Sequence, residues 1–327
     1  VLNSWMHTPA GFELREGVVH ATDWMAIIFN PSMPYRLVHM LLASGLTVAF
    51  LIAGLSSLRW LMGERSETVR ATLRFGVTMG ALLIPIQIVV GDMHGLNTME
   101  HQPAKLAAME GHWENTGEPV PLYLFAVPDE AARENDYGIR IPYAGSLLLT
   151  KSWDGQIPAL NDFVTEEGEV LHPPVAPVFY SFRVMVGIGV AMLAASWGAL
   201  VLMRRRTGPE GMRWRVEALP QAMHYVFAGM AFSGWIAVLA GWYTTEIGRQ
   251  PWLVTGVLTT EQAVADVPAP MVASTLIAYL AVLVYLSWKA VQGQTLPTRG
   301  MEPASGAAVA YVAGEGRRAP GGVTPAE

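Results

Sequence analysis

The sequence predicts an all-α integral membrane protein with about five transmembrane helices and one long polar loop. Three observations carry this. Of the 327 residues 52% are hydrophobic and 15% charged, and the mean hydropathy is +0.31, whereas soluble domains carry roughly 25% charged residues. The apolar residues gather in five runs long enough, at ~1.5 Å per residue, to cross a ~30 Å hydrocarbon core. Between the second and third runs, residues 92–177 are polar with only local apolar content. Composition also excludes classes. A net charge of -6 offers no basic face for nucleic acid. With no cysteine, thiolate haem ligands, iron–sulfur clusters and disulfides are ruled out. Any metal falls to His, Met or carboxylate.

In chain order, residues 1–34 read as an extramembrane connection with an interfacial helix around Trp24–Ile28, ended by Pro31 and Pro34. The opening has no basic stretch and no cleavage site, so it is not a signal peptide, and it is expected to lie inside a longer protein. Residues 35–91 hold two spans, at 37–62 and 75–90. Residues 92–177 form the long loop. Residues 178–291 hold three more spans, at 179–203, 222–245 and 271–288. From 292 to 327 Gly, Ala and Pro dominate without periodicity, the pattern of a disordered tail. Arg59, Arg65, Arg70 and Arg74 follow the first span, and Arg204, Arg205, Arg206, Arg213 and Arg215 follow the third. Those connections and the tail are expected to be cytoplasmic, and the acidic 92–177 loop extracytoplasmic.

The chain is organised around Trp242-Tyr243-Thr244-Thr245-Glu246-Ile247-Gly248-Arg249-Gln250-Pro251-Trp252. Glu246 falls about one turn beyond the apolar part of the fourth span, where a carboxylate is costly and functional by default. Gly248 and Pro251 read as helix stops. Gly241-Trp242, a short spacer, Glu246 and the pentapeptide Gly248–Trp252 resemble the signature of the large subunit (subunit I) of the cytochrome bd quinol oxidases. Three further segments keep the family order. Asn3-Ser4-Trp5-Met6-His7-Thr8-Pro9 resembles the segment after the family's fourth helix. Phe29-Asn30-Pro31 leading to Val38-His39-Met40 resembles the approach to its first low-spin haem ligand. Ser181-Phe182-Arg183-Val184-Met185-Val186-Gly187 resembles the segment supplying its methionine. The chain would then be the second half of a subunit of about nine helices.

His39 and Met185 each lie near the outer end of a span, at matching depth. A His and a Met facing across a gap suit a low-spin haem b, although a lone intramembrane His also serves to bond a neighbouring helix and a Met to pack. Arg183, two residues before Met185, suits a haem propionate or a snorkelling role. The resemblance implies that Glu246 ligates a second, high-spin haem b. Trp242, one turn earlier, would pack against a porphyrin or join the interfacial aromatic belt, and Arg249 would meet a propionate or hold the turn. A third haem, d or b, would take its ligand from residues outside this chain.

Pro103-Ala104-Lys105-Leu106-Ala107-Ala108-Met109-Glu110 resembles the start of the family's quinol-binding loop in its shorter form. Lys105 and Glu110 map onto a Lys and a Glu implicated in quinol oxidation. A carboxylate can take a quinol proton and an ammonium can stabilise the quinol oxygen, whereas spacing alone describes an exposed helix pair. Asp92 and His94 would assist proton release or simply cap the second span. The resemblance thus implies a respiratory terminal oxidase of the bacterial cytoplasmic membrane, electrogenic without a pump. It would oxidise ubiquinol or menaquinol at the outer face and reduce dioxygen to water, with a second membrane subunit, a small single-helix subunit and membrane lipid as partners. The competing readings are a quinone-linked b-type cytochrome without oxygen chemistry and a haem-free transporter or structural subunit.

Overall fold

The computed structural model describes residues 1–206 and 212–291; the tail expected to be disordered, 292–327, lies outside the described residues. The chain divides into two units, Val1–Val264 and Ala265–Glu327. The first contains helices α1 (Leu2–His7), α2 (Trp24–Ile28), α3 (Met33–Leu61), α4 (Glu67–His101), α5 (Pro103–Glu110), α6 (Ala144–Thr150), α7 (Val175–Met203), α8 (Gln221–Gly229) and α9 (Ser233–Ile247). The second contains α10 (Ala269–Val291). The fold is mostly helical, and among the described residues five segments are long and apolar enough to span a membrane: Trp24–Leu61, Glu67–His101, Val175–Met203, Gln221–Ile247 and Ala269–Lys289.

Helix bounds depart from the sequence expectation at instructive places. Pro34, expected to precede the first span, lies in the first turn of α3, where its missing N–H has no intrahelical partner to lose. Helix α4 runs on to His101, so Asp92 and His94 ride on it, and it accommodates Pro85. It stops because Pro103 drives Gln102 out of the helical region, to φ -140°. The fourth span is broken between α8 and α9. There both the amide and the hydroxyl of Ser233 donate to the Met230 carbonyl, at 3.0 and 2.7 Å.

Helix α3 is central, and small residues let its neighbours close on it. A Cβ on Gly76 of α4 would lie 2.7 Å from the Ala49 carbonyl oxygen and 2.8 Å from the Ala53 nitrogen. On the α8 side a Cβ on Gly54 would come within 2.5 Å of the Ala231 Cβ, and on the α9 side one on Gly234 within 2.5 Å of the Thr47 Cα. Phe50, Leu73, Val77, Ile84, Met192 and Phe227 fill the space between these helices.

The connections carry structure that the helical periods did not announce. Strand β1 (Phe12–Arg15) pairs with β2 (Val18–Ala21), β3 (Leu122–Asp129) with β4 (Glu134–Ile141), β5 (Arg204–Arg206) with β6 (Met212–Trp214), and β7 (Trp252–Val254) with β8 (Leu258–Thr259), all antiparallel. The polar loop is therefore folded. Ala107, Ala108, Met109, Trp113 and Leu160 pack under Val175 and Val178 of α7. The Trp113 indole donates to Asn135 at 3.0 Å, and Asn135 donates to the Gly111 carbonyl at 2.7 Å.

Candidate functional site

The polar residues of interest collect where α3 begins and α9 ends. Glu246 occupies the last turn of α9 and is held from two sides. Asn3 Nδ2 donates to its Oε1 at 2.7 Å, and Arg249 Nη2 pairs with its Oε2 at 2.8 Å. Arg36, in the opening turns of α3, orients Asn3 through a 3.1 Å bond to Asn3 Oδ1. Gly248 keeps a right-handed conformation, φ -66°, so a left-handed stop is not what it supplies. It supplies room: a Cβ there would sit 2.9 Å from Lys105 Cγ.

Lys105 reaches that point from α5, which opens on Pro103 and closes on Gly111 in the left-handed region at φ 62°. Lys105 and Glu110 are each only 5% exposed, so the exposed-pair reading of their spacing fails. They also face different partners. Lys105 Nζ shares a 2.9 Å hydrogen bond with His7 Nδ1 and donates to Gln102 Oε1 at 2.7 Å. Glu110 Oε2 receives Arg183 Nη2 at 2.8 Å, while Arg183 Nε donates to the Tyr123 carbonyl at 2.6 Å. Arg183 also lies over the Phe179 ring, 4.7 Å from its centroid. Burial first, then Arg36 and Arg249, hold the Lys105 ammonium well below its usual range, against a smaller opposing pull from Glu246. His7 is likewise pushed down, by burial and then by Lys105, Arg36 and Arg249.

His39 and Met185 lie near the same end, each beside a glycine. A Cβ on Gly91 of α4 would touch His39 Cε1 at 3.4 Å, and one on Gly241 of α9 would meet Met185 Sδ at 2.8 Å. His94 packs edge-on against His39, with ring centroids 5.7 Å apart. Their heights follow from the Thr47–Gly234 contact. His39 is 47 − 39 = 8 residues from Thr47, and Gly241 is 241 − 234 = 7 residues from Gly234, in the same direction. At ~1.5 Å per residue these are offsets of about 12 and 10.5 Å, so His39 and the Met185 sulfur stand nearly level. Trp242 is 55% exposed, beside Tyr243.

Buried nitrogens without a partner mark this end. Among the described residues, Arg36 Nε, Arg249 Nε and Nη1, His7 Nε2 and His39 Nδ1 have no hydrogen-bond partner. Guanidinium N–H groups left unpaired in a buried site are what the carboxylates of a haem would satisfy. An imidazole and a thioether are ligand types that haem iron takes, and a carboxylate oxygen is an anionic donor of the kind the resemblance implies for a second haem. The residues present fit the group.

The family model of cytochrome bd terminal oxidase subunit I matches residues 1–293. The chain belongs to this family. Among its relatives, the cytochrome bd ubiquinol oxidase subunit 1 of Bacillus subtilis is 33% identical over 269 residues, 80% of this chain and 55% of that protein. The cytochrome bd-II ubiquinol oxidase subunit 1 of Escherichia coli is 26% identical over 324 residues, 80% of this chain and 61% of that protein. The bd oxidase structure from Geobacillus thermodenitrificans superposes with a TM-score of 0.73 at 30% identity, covering 88% of this chain and 63% of that one. The chain thus spans somewhat over half the length of these relatives. Membership and the five apolar helices make it part of a multi-pass membrane protein.

Within this member of the cytochrome bd family, Arg249 pairs with Glu246, a contact that the sequence reading, with Arg249 on a propionate or holding the turn, did not anticipate. Arg183 meets Glu110 instead of standing apart from it. Asp92 pairs with Lys151 at 2.9 Å, tying the polar loop to α4. Sequence reasoning passed over Asn3, His7, Arg36 and Gln102 as participants. Arg36, a charge at the mouth of an apolar run, carried a local signal, and Asn3 and His7 entered only as members of a family-like string. The partners of Asn3 and His7 lie 243 and 98 residues away, beyond any spacing rule.

Proposed function

We propose that this chain is the haem-bearing, quinol-oxidising part of a cytochrome bd-type quinol:dioxygen oxidoreductase. The observation that carries the reading is the pair of guanidiniums around Glu246, Arg36 and Arg249, each with buried N–H groups left over after its bonds to Asn3 or Glu246, level with the end of the bundle that holds His39 and Met185. In this reading His39 and Met185 hold a low-spin haem b and Glu246 a high-spin haem b. A third haem, d or b, has its ligand outside this chain. Haems bound there supply the one-electron chemistry that links quinol oxidation to dioxygen reduction.

The chain's own residues do the rest. Gly91 and Gly241 leave His39 and Met185 free of an intervening side chain. Arg36 and Arg249 offer N–H groups to propionates, and Asn3 and Arg249 fix the direction of the Glu246 carboxylate. Trp242 presents an aromatic face one turn away. Lys105 offers N–H groups to a quinol oxygen. Glu110 takes a proton when Arg183 yields it. The substrate is ubiquinol or menaquinol, reached from the extracytoplasmic side through the 92–177 loop. Dioxygen is the acceptor, and a second membrane subunit with a small single-helix companion completes the enzyme in the bacterial cytoplasmic membrane.

A reduced-minus-oxidised spectrum of the assembled oxidase tests the reading. Wild type shows low-spin and high-spin haem b. His39→Ala and Met185→Ala each remove the low-spin band, and Glu246→Ala removes the high-spin one. Spectra unchanged by all three substitutions, or a colourless protein, sink it.

A further inference from the structure

His7 was not singled out by the sequence, yet it is completely buried and bonded to Lys105. Its tautomer can be read from the bonds around it. Thr255 Oγ1 donates to the Met6 carbonyl at 3.3 Å, so that hydroxyl is left as acceptor for Gln102 Nε2, also at 3.3 Å. This sets the direction of the Gln102 amide, and its Oε1, 2.7 Å from Lys105 Nζ, agrees. The second hydrogen of Gln102 Nε2 then points to His7 Nδ1 at 3.1 Å, beside Lys105 Nζ at 2.9 Å. With the Gln102 N–H aimed at it, Nδ1 is assigned as the lone-pair nitrogen. The hydrogen of the neutral imidazole is therefore on Nε2, which is buried and without a partner.

A buried N–H with no acceptor is rare and costly, and invites an acceptor from outside the chain's own groups. The surroundings say what kind. The charges acting on His7 are Lys105, Arg36 and Arg249, which disfavour an imidazolium and favour an electron-rich oxygen. We infer that His7 is a quinone-recognition residue, its Nε2–H donating to an oxygen of the quinone headgroup that Lys105 also faces. The inference rests on the reading of Lys105 as a quinol-site residue. As a neutral imidazole whose accepting nitrogen is already engaged, His7 holds the oxygen in place and leaves proton removal to another group. An oxygen acceptor of this kind could also come from a haem propionate, and the test separates the two.

His7→Asn keeps an acceptor near the Nδ1 position for Lys105 and Gln102 but deletes Nε2–H; His7→Gln returns an N–H near the Nε2 position. In the assembled oxidase, with haem absorbance as the check on integrity, His7→Asn should raise the quinol KM about tenfold with kcat little changed. His7→Gln should restore most of the loss. Infrared difference spectra of bound, carbonyl-labelled quinone should show the carbonyl band moving to higher frequency in His7→Asn, as a donor is lost. An unchanged KM and carbonyl band in His7→Asn overturns the inference. So does a shifted haem potential at unchanged KM, which assigns the Nε2–H to a propionate. Lys105→Met separates the layers: if it raises KM while His7→Asn does not, only the inference falls; if neither does, the quinol-site reading falls as well.

Discussion

Replacing Arg183 and Glu110 by leucine, singly and together, measures how tightly the polar loop is locked to α7. The pair is 2.8 Å apart, with side chains 14% and 6% exposed, so solvent screens it little. Arg183→Leu strands a buried carboxylate, which costs about 3–5 kcal/mol, and removes the contact with Phe179 as well. Glu110→Leu leaves a guanidinium that still bonds the Tyr123 carbonyl and still faces Phe179, so its cost is at the low end, ~3 kcal/mol. The double variant strands no charge. What it loses is the Tyr123 bond and the ring contact, about 1–2 kcal/mol together. The double cost should fall short of the sum of the singles by ~3 kcal/mol or more. Unfolding of the assembled oxidase in mixed micelles of mild detergent and sodium dodecyl sulfate reads all three variants on one scale. Additivity within about 0.5 kcal/mol would refute the argument, and would mean that Glu110 is free of Arg183 and available as a base.

Other consequences follow from particular contacts. Gly76→Ala places a methyl against backbone atoms of α3, so the helices must part, at about 1–3 kcal/mol; Gly95→Ala, with open space at its Cβ, should be neutral or slightly stabilising in the same assay. Gly241→Ala sets a methyl 2.8 Å from Met185 Sδ and should abolish the low-spin band while sparing the high-spin one, seen in reduced spectra. Stability should depend on pH through His7. Burial chiefly, with Lys105, Arg36 and Arg249, lowers its pKa on folding, so below about 6.5 the unfolded chain takes up a proton that the folded chain refuses. Stability is complete above that value and falls as the pH drops, by ~1.4 kcal/mol per unit. His7→Asn should flatten that slope between about pH 6.5 and pH 5 in mixed-micelle titrations, and an equal slope in both proteins counts against it.

The spans were legible because lipid imposes one requirement, an apolar run of sufficient length, and composition states it directly. Their ends were not. Pro34 marks a start where a stop was expected, and α4 continues through Asp92 and His94 because those side chains find partners in Lys151 and His39. The break at Met230 to Phe232 left no proline or charge to read; it answers to the close approach of Gly54 and Ala231. In the candidate site, Glu246, Arg249 and Trp242 were singled out by a contiguous motif, and His39 and Met185 by family-like segments, since residue type and depth alone left helix bonding and packing open. Lys105 and Glu110 looked like surface residues because spacing along one helix carries no information about Gly248, Arg183 or His7.

The pentapeptide after Glu246 shows why a short string can mark a distributed site. Arg249 turns back onto Glu246, Gly248 lets the Lys105 stem cross, and Gln250 accepts from Thr260 at 2.9 Å. Beyond it, the Thr255 amide donates to the Met6 carbonyl at 3.0 Å, next to His7. One turn of chain thereby sets the carboxylate of α9, the lysine of α5 and the histidine of α1 in a fixed relation. These groups come from sequence positions up to 239 residues apart, His7 to Glu246, and no single helix could hold them. Two guanidiniums, Arg36 and Arg249, beside one carboxylate leave excess positive charge in a buried space, which an anion would offset. The charge imbalance and the acceptor-less nitrogens are two views of one incompleteness, and an electron-rich oxygen ligand resolves both.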